Sequence, residues 1–401
     1  MRQAMLKDIS LSAVIAGLLA VIIAYCGPLI IVFQVATLAG VSTEDMMSWI
    51  WGISFGVGIS GLVLSYLSKM PIMTGWSVPG TVLLLSLFPT LTVAEMVGAH
   101  MLAGMMIVII GLSGHFDRLM AWIPQGVAGG MLAGLLFQFG AAAFKTISVS
   151  PVLLILMLSV YLLGKRYFSR YSIVAVFVVG LVFVMATGQV HTEAFNLQWV
   201  MPKLIAPEFS IYSILSLSVP LVLVSLSGQY LPGMAILKVD GYHQVKSRPI
   251  MVMTGGVSTL VALTGSASIV LGAISAAIAT GPDSHPNPDK RYIAGMSNGL
   301  FYIVGAFLTS AIVTLFAVFP AELVAILAGL ALMSSINANI VLAVEDRENR
   351  EAALLTFMAT ASGMSWFGLA SAFWGIVIGM CAALLFNTKL RGGIRSLLKK
   401  A

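Results

Sequence analysis

Long apolar runs follow one another along almost the whole chain, and they are separated by short segments of turn residues and charges. Of the 401 residues, 59% are hydrophobic and only 9% are charged, and the mean hydropathy is +1.02. A soluble domain carries about 25% charged residues, so the charges present here cannot cover a water-exposed surface of this size. The composition therefore excludes a soluble globular enzyme and predicts a polytopic membrane protein.

The apolar runs predict an all-α fold with fourteen transmembrane spans. The predicted spans are 9–36, 46–67, 71–88, 93–113, 121–144, 149–165, 171–187, 211–235, 249–263, 264–280, 292–318, 320–343, 348–364 and 366–387. The first run follows Arg2 and Lys7 as a signal peptide would, but it is too long for one and lacks a small-residue cleavage site. We therefore interpret it as a retained span.

The basic residues test this count, because one missed span would invert every later loop. With the N-terminus in the cytoplasm, nineteen of the 21 Lys and Arg residues fall in cytoplasmic segments, and only Lys145 and Lys203 fall outside. Both termini are then predicted to be cytoplasmic. Because the basic residues form short clusters between apolar runs, they set topology and do not indicate nucleic acid as a partner.

Short matches between the two halves predict an internal repeat. Three matches recur in order, at offsets of 192, 190 and 195 residues: Pro28-Leu29 with Pro220-Leu221, Thr74-Gly75 with Thr264-Gly265, and Leu132–Leu135 with Leu327–Leu330. Seven is an odd number of spans, so two copies of seven must insert with opposite orientations. The sequence therefore predicts a 7+7 inverted repeat, which is typical of alternating-access transporters.

Span 3 contains a stretch that cannot form a continuous helix. Pro71 and Pro79 bracket Ile72–Val78, and neither proline fits an uninterrupted helix through these residues. We expect extended backbone here, followed by a half-helix over Val78–Phe88 with Ser77 as its N-cap. This half-helix would be about 16 Å long, roughly half of a bilayer, and would begin near the membrane centre.

Span 10 repeats this pattern. The polar stretch Thr264–Ser268 precedes a short run that ends at Thr280, and Ser266 or Ser268 is the expected N-cap. Two half-helix N-termini would then face each other near the membrane centre, each with unpaired N–H groups and about half a positive charge. Such a pair suits one anion. Two kinked helices that pack closely through small residues are the alternative interpretation.

Neutral polar side chains near these breaks are the candidates for binding the anion. No Asp, Glu, Lys or Arg falls near the middle of a predicted span, so a cationic substrate would have no counter-ion. Amides and hydroxyls orient a carboxylate without burying a full charge. Gln229 is the first choice, with a structural interhelical hydrogen bond as its alternative, and Trp76 either offers an aromatic wall or packs in the core. The predicted substrate-binding residues are Tyr25, Thr74, Gly75, Trp76, Ser77, Val78, Gln229, Tyr230, Ser266, Ala267 and Ser268.

Other polar residues receive weaker assignments. His100 lies seven residues into span 4 and Glu95 lies nearer its outer end, so both are candidates for proton coupling, with a hydrogen-bonded neutral histidine as the alternative for His100. We interpret Asn339 as structural. The two cysteines have no metal-ligand spacing, and we interpret Asp283, His285 and Asp289 as part of a stiff, solvated, proline-rich loop, so we expect no metal and no cofactor. The glycine spacings Gly126, Gly130, Gly134 and Gly295, Gly299 indicate close helix packing.

Four segments resemble the BenE family of bacterial benzoate/proton symporters. They are Tyr25–Pro28, Pro71–Gly80, Ser227–Gly233 and the loop that ends at Asp289–Tyr292. The resemblance extends over essentially the whole chain and implies the fold of the uracil and xanthine permeases and the sulfate-type anion transporters. It implies a core domain of residues 1–113 and 208–318 and a gate domain of residues 114–207 and 319–401.

The resemblance also implies the activity: import of benzoate or a similar aromatic carboxylate, with a proton, into a bacterium across its cytoplasmic membrane. A homodimer is a candidate assembly. Nucleobase permeases carry glutamates on spans 8 and 10, where this sequence has Gln229 and the serines Ser266 and Ser268. That difference argues against a nucleobase and for an anion. A nucleobase or inorganic-anion transporter on the same fold, and an uncoupled channel, remain as alternatives. An intramembrane enzyme would need clustered catalytic residues, and the sequence shows none.

Overall fold

Nearly all secondary structure is helical in the part of the chain that the computed structural model describes. The described residues are 8–88, 90–116, 124–188, 199–281, 284–317, 319–366, 369 and 371–387. Both predicted cytoplasmic termini, residues 1–7 and 388–401, lie outside the described residues.

The first half of the chain contains helices and one short strand. They are α1 (Leu11–Cys26), α2 (Leu29–Leu38), α3 (Thr43–Ser68), β1 (Thr74–Trp76), α4 (Val78–Leu87), α5 (Val93–Ser113), α6 (Gln125–Lys145), α7 (Pro151–Tyr167) and α8 (Ser172–Ala186). Helix α1 ends before Pro28 because proline cannot continue the hydrogen-bond ladder. Helix α3 begins after Ser42, whose hydroxyl accepts a hydrogen bond from the Asp45 N–H at 3.1 Å.

The second half has a similar order of elements. They are α9 (Ile211–Lys238), α10 (Ser247–Ala262), β2 (Ile269–Leu271), α11 (Ala273–Thr280), α12 (Tyr292–Phe307), α13 (Thr309–Ala317), α14 (Ala321–Glu345), α15 (Arg350–Ala361) and α16 (Ser371–Phe386). Helix α9 contains two π-helical turns, Ile214–Ser218 and Leu226–Tyr230. A bend of 74° separates α12 from α13.

Among the described residues, six helices are long and apolar enough to cross a membrane when α1 and α2 count as one helix, or seven if the bent pair α12–α13 also counts as one span. The protein is therefore a mostly helical, polytopic membrane protein, as the composition predicts. Each of the other predicted spans contains a shorter helix, including α4 and α11. The count of fourteen spans stays a prediction.

The extended backbone predicted in spans 3 and 10 is confirmed. Strands β1 and β2 pair in antiparallel fashion, with Gly75 opposite Val270. Backbone groups inside a membrane protein must be hydrogen-bonded by the protein itself. Here the strands bond each other, and the Ser258 hydroxyl accepts from the Ile269 N–H at 2.7 Å and donates to the Ile269 carbonyl at 3.0 Å. The strand pair thus provides hydrogen-bond partners for the backbone at the break in both spans.

Glycines bring the helices around the strand pair close together. Helix α12 packs along α3, and α10 packs along α5. A Cβ atom on Gly299 would lie 2.6 Å from the Gly58 carbonyl oxygen, and one on Gly255 would lie 2.8 Å from the Gly104 carbonyl oxygen. In a second group, α6 packs against α14 and α15, where a Cβ on Gly134 would lie 2.7 Å from the Phe357 carbonyl oxygen. The predicted packing role of the glycine spacings is confirmed.

Candidate functional site

The start of helix α4 is satisfied largely by its own chain. Ser77 is its N-cap, as predicted, and the Ser77 hydroxyl accepts a hydrogen bond from the Gly80 N–H at 3.1 Å. Pro79 follows in the first turn and has no N–H to offer. This helix start therefore has few free donors for a ligand.

The start of helix α11 is different, because its N-cap is Gly272 and no side chain caps it. The predicted N-caps Ser266 and Ser268 are wrong. Strand β2 lies between these serines and the helix, because Ile269–Leu271 pair with β1 and keep the chain extended as far as Gly272. The Ser268 carbonyl accepts from the Ser77 N–H at 2.8 Å, so this residue belongs to the strand pair.

The bounds of the strands and helices also correct the match between the two halves. Strands β1 and β2 begin 195 positions apart, as do helices α4 and α11, whereas the match of Thr74-Gly75 with Thr264-Gly265 assumed 190. The offset of 195 agrees with the match of Leu132–Leu135 to Leu327–Leu330. With this offset, Gly272 is the residue of the second half that corresponds to Ser77.

A cavity of about 480 Å³ opens beside the starts of α4 and α11. One side is formed by α1, β1, α4, α9, α11 and α12, and the other by α6 and α14. Its wall is mainly apolar, with small residues such as Ala24, Ala128 and Ala331. A concave apolar site with a few polar groups is the usual form of a small-molecule site.

Four of the eleven predicted substrate-binding residues line this cavity: Gly75, Trp76, Val78 and Gln229. The second π-helical turn of α9 brings Gln229 to the wall. The side-chain amide of Gln229 forms no hydrogen bond with any described residue, so its donors and acceptor are available to a ligand.

The other seven predicted residues lie outside the cavity lining and support its wall. The Tyr25 hydroxyl is 2.7 Å from the Ser54 hydroxyl, and the Tyr230 hydroxyl is 2.6 Å from the Thr254 hydroxyl. The Thr74 hydroxyl donates to a carbonyl of α3 at 2.8 Å. The remaining residues of this group are Ser77, Ala267, Ser266 and Ser268, all of them buried.

Sequence reasoning missed several residues of the cavity wall: Gly272, Ser275, Tyr302 and Asn339. The offset of 195 could have identified Gly272 as the partner of Ser77. Asn339, interpreted as structural, donates to the Ser335 carbonyl of its own helix at 2.8 Å and also lines the cavity. Tyr302 lies within an ordinary apolar run, so no local signal distinguishes it.

The two proton-coupling candidates lie outside the cavity lining. The His100 side chain is buried, and its Nδ1 lies 2.9 Å from the Met96 carbonyl oxygen, while its Nε2 has no partner among the described residues. Glu95 forms a capping box with Thr92: the Thr92 N–H donates to the carboxylate at 3.0 Å, and the Glu95 N–H donates to the Thr92 hydroxyl at 3.1 Å. Glu95 thus stabilises the start of α5.

Two basic residues interact with groups at helix ends. Arg291 donates to the Thr280 carbonyl at 2.6 Å and to the His285 carbonyl at 2.7 Å, so a cation holds the C-terminal end of α11, where it complements the helix dipole. Lys203, one of two exceptions to the predicted charge asymmetry, forms ion pairs with Glu44 and Asp45. Its hydrogen bond to Glu44 raises the pKa of Lys203.

Comparison with known proteins decides the family. The sequence pattern of BenE, described as benzoate membrane transport protein, matches residues 7–385. The chain belongs to the BenE family. This BenE protein is 48% identical over 376 residues to the benzoate membrane transport protein of Acinetobacter baylyi, which covers 94% of this chain and 95% of that protein. It is 36% identical over 373 residues to the inner membrane protein YdcO of Escherichia coli, covering 93% of this chain and 95% of that protein. The family consists of membrane transporters, not enzymes.

Solved structures show the same fold. The BenE chain superposes on the transmembrane domain of the cyanobacterial bicarbonate transporter BicA with a TM-score of 0.59 at 14% identity, covering 93% of this chain and 97% of that one. It also superposes on the murine Solute Carrier 26 family member A9 anion transporter in the inward-facing state, with a TM-score of 0.55 at 13% identity, covering 94% and 68%. At such identities the likeness concerns the fold alone.

Proposed function

We propose that this BenE protein imports benzoate or a similar aromatic carboxylate by proton symport with alternating access. The observation that carries the proposal is the uncapped start of α11 at the wall of an apolar cavity. A carboxylate supplies the helix cap that Gly272 lacks, because free N–H groups and the positive end of the dipole both favour an anion. The apolar wall receives the ring.

The name of the Acinetobacter baylyi relative supports benzoate as the substrate, and that of the Escherichia coli relative supports the bacterial inner membrane as the location. Within the cavity, Gly75, Trp76, Val78 and Gln229 contact the substrate in our proposal. The seven other predicted residues act indirectly, by holding the strand pair and the aromatic wall in place.

The proposal includes fourteen spans arranged as a 7+7 inverted repeat. The antiparallel pairing of β1 with β2 supports it, since a two-fold axis through Gly75 and Val270 exchanges the two breaks. Helix packing also supports it. The contact of Gly58 with Gly299 joins α3 to α12, and the contact of Gly104 with Gly255 joins α5 to α10. Spans 2 and 11 thus pack as spans 4 and 9 do, as a two-fold relation requires.

The proposed core domain comprises residues 1–113 and 208–318, and the gate domain comprises residues 114–207 and 319–401. The packing of α6 with α14 and α15 supports a separate gate. The cavity lies between the two groups, with Gln125–Leu136 and Ala331–Leu342 contributing its gate side. Movement of the core relative to the gate would then change access to the substrate.

The cavity opens toward the cytoplasm in our proposal, with both termini on that side. Its lining residues come from the N-terminal half of α6 and the C-terminal halves of α9 and α14. The predicted topology places these helix ends in the cytoplasm. The structure would therefore represent an inward-open conformation.

Proton cotransport follows from the charge of the substrate. An inside-negative potential opposes entry of a benzoate anion by about 2.3 kcal/mol per 100 mV, and a cotransported proton removes this penalty. Of the two candidates, we propose His100 as the proton carrier in preference to Glu95. The His100 Nε2 has no partner among the described residues, whereas the Glu95 carboxylate is engaged in the capping box.

Uptake of labelled benzoate into proteoliposomes tests the proposal. We expect an inward proton gradient to drive protein-dependent accumulation and a protonophore to abolish it. Protein-free liposomes are the essential control, because neutral benzoic acid crosses lipid unaided. Uptake no greater than in these liposomes would refute benzoate as the substrate. Uptake that the protonophore does not reduce would refute proton coupling.

An inorganic anion is the second candidate, because the superposed structures are anion transporters. The uncapped start of α11 can hold any small anion, but bicarbonate and sulfate have no apolar ring to bury against the apolar wall. We therefore expect neither anion, nor uracil, to compete with labelled benzoate. Competition by one of them at a concentration comparable to that of benzoate would favour the alternative.

A further inference from the structure

Tyr302 carries a hydroxyl group that the protein itself does not use. It lies in the cavity wall, it is only 3% exposed, and its hydroxyl forms no hydrogen bond with any described residue. Two other tyrosines near the cavity differ, since the hydroxyl of the partly buried Tyr25 is paired with Ser54 and that of the buried Tyr230 with Thr254. Tyr302 is held in place by its ring, which packs edge-on against Trp76 at 6.3 Å and against Tyr25 at 5.5 Å.

The Tyr302 hydroxyl is not one of the fully enclosed polar atoms that lack a partner in the described part of the chain, so it reaches the open space of the cavity. Phenylalanine would fill the same space and keep both ring contacts, so the packing of the ring does not require the hydroxyl. In a cavity wall, the missing partner is supplied by whatever occupies the cavity. The hydroxyl can donate or accept, so it suits a polar group of either kind.

The position of Tyr302 relative to α11 indicates which part of the substrate it meets. The Gly272 N–H bonds the Met73 carbonyl at one end of the strand pair, and Trp76 lies toward the other end. Met73 and Trp76 are about 10 Å apart along an extended strand. Because Tyr302 packs on Trp76, it lies toward the end of the strand pair that is remote from Gly272.

The space between these two ends is open. A Cβ atom on Gly75 would meet no other atom within 4 Å, and Gly75 lines the cavity. A ring whose carboxylate caps α11 can therefore lie over Gly75. Its edge opposite the carboxylate then points toward Trp76 and Tyr302.

We propose that the Tyr302 hydroxyl binds a polar substituent on the far edge of the ring, so that the site takes ring-hydroxylated aromatic carboxylates as well as benzoate. This inference rests on the proposed function, because it uses a carboxylate at the start of α11. It extends that function to a specific substrate class and assigns the residue that recognises it.

Calorimetric binding of 4-hydroxybenzoate and benzoate to the purified full-length protein tests this inference. Wild-type protein is expected to bind both. Tyr302→Phe is expected to lose about 5-fold more affinity for 4-hydroxybenzoate than for benzoate, the effect of one hydrogen bond. The matched control is Tyr212→Phe, whose hydroxyl lies 3.0 Å from the Thr90 hydroxyl outside the cavity lining. We expect this control to leave both affinities unchanged.

Four outcomes would overturn the inference. Equal losses for the two ligands would place the hydroxyl near the carboxylate, and no loss for either would mean that water satisfies it. A wild-type protein that binds benzoate but not 4-hydroxybenzoate would refute the substrate class while leaving the proposed function intact. If the wild type binds neither ligand, the proposed function fails together with the inference. Thermal unfolding of each variant identifies any general loss of structure.

Discussion

Ser77 and Gly272 stand at matching positions before the two half-helices, but only Ser77 caps its own helix. The Ser77 hydroxyl accepts a hydrogen bond from Gly80 at 3.1 Å, whereas Gly272 has no side chain to do so. The two halves are thus alike in backbone and unlike in chemistry. One helix start is stabilised by the protein, and the other is open to an anion.

Gly272→Ala is expected to weaken benzoate binding about 10-fold or more. The added methyl group would contact the Ser275 hydroxyl and occupy space at the helix start, where the carboxylate must approach. The backbone of Gly272, at φ −84°, suits alanine, so the fold should persist. Calorimetry on the purified protein measures the affinity. Gly256→Ala in α10 is the control, because its Cβ would meet no atom within 4 Å. An unchanged affinity in Gly272→Ala would remove the anion from this helix start.

Ser77→Ala is expected to lower the free energy of unfolding by about 1 kcal/mol, because it removes the N-cap of α4. Thermal unfolding in detergent, compared with that of the wild type, measures the effect. Ser86→Ala serves as the control, since the Ser86 hydroxyl is exposed and bonds only the Leu83 carbonyl of its own helix. Equal transition temperatures for the two variants would show that the cap does not stabilise the strand-to-helix junction.

Gln229→Ala is expected to weaken benzoate binding about 10-fold without unfolding the protein, because a hydrogen bond to a charged group contributes about 1.5–3 kcal/mol. Binding and thermal stability should be measured on the same preparation. The matched change is Gln138→Ala, whose amide donates to the Ala361 carbonyl at 3.0 Å outside the cavity lining. If both variants bind benzoate as tightly as the wild type, Gln229 is not a ligand.

Gly299→Ala is expected to destabilise the protein by about 1–3 kcal/mol, since the methyl group would lie 2.6 Å from the Gly58 carbonyl oxygen and force α3 and α12 apart. Denaturant or thermal unfolding measures the loss. Gly256→Ala should instead be neutral or stabilising by up to about 1 kcal/mol, because alanine is the better helix former. Similar stabilities for these two variants would mean that the contact between α3 and α12 adjusts freely.

Much of the backbone could be predicted from local sequence. Pro71 and Pro79 cannot lie in a continuous helix, and this restriction holds in any fold, so the extended segment and the cap at Ser77 were predictable. The end of α11 at Thr280 also agrees with its apolar run. The predicted caps Ser266 and Ser268 failed because hydroxyl residues before an apolar run favour a helix start only when no strand partner competes.

The site was less predictable, because its residues meet only in the folded chain. Gln229 and Trp76 were identified as polar or aromatic groups near a break, and both line the cavity. Tyr25 and Tyr230 were selected on the same grounds, but their hydroxyls are hydrogen-bonded to Ser54 and Thr254 and so are not available to a ligand. Tyr302 reaches the cavity from a helix that has no break at that position.

The sequence by itself determined that this chain is a helical membrane protein, because its few charges cannot cover a water-exposed surface. It also determined the break in span 3, because Pro71 and Pro79 restrict their own backbone. Only the tertiary structure decided that β2 extends to Gly272, since that depends on pairing with β1 some 195 residues away. It likewise decided which hydroxyls and amides stay free, because a hydrogen bond between distant residues depends on how the helices pack.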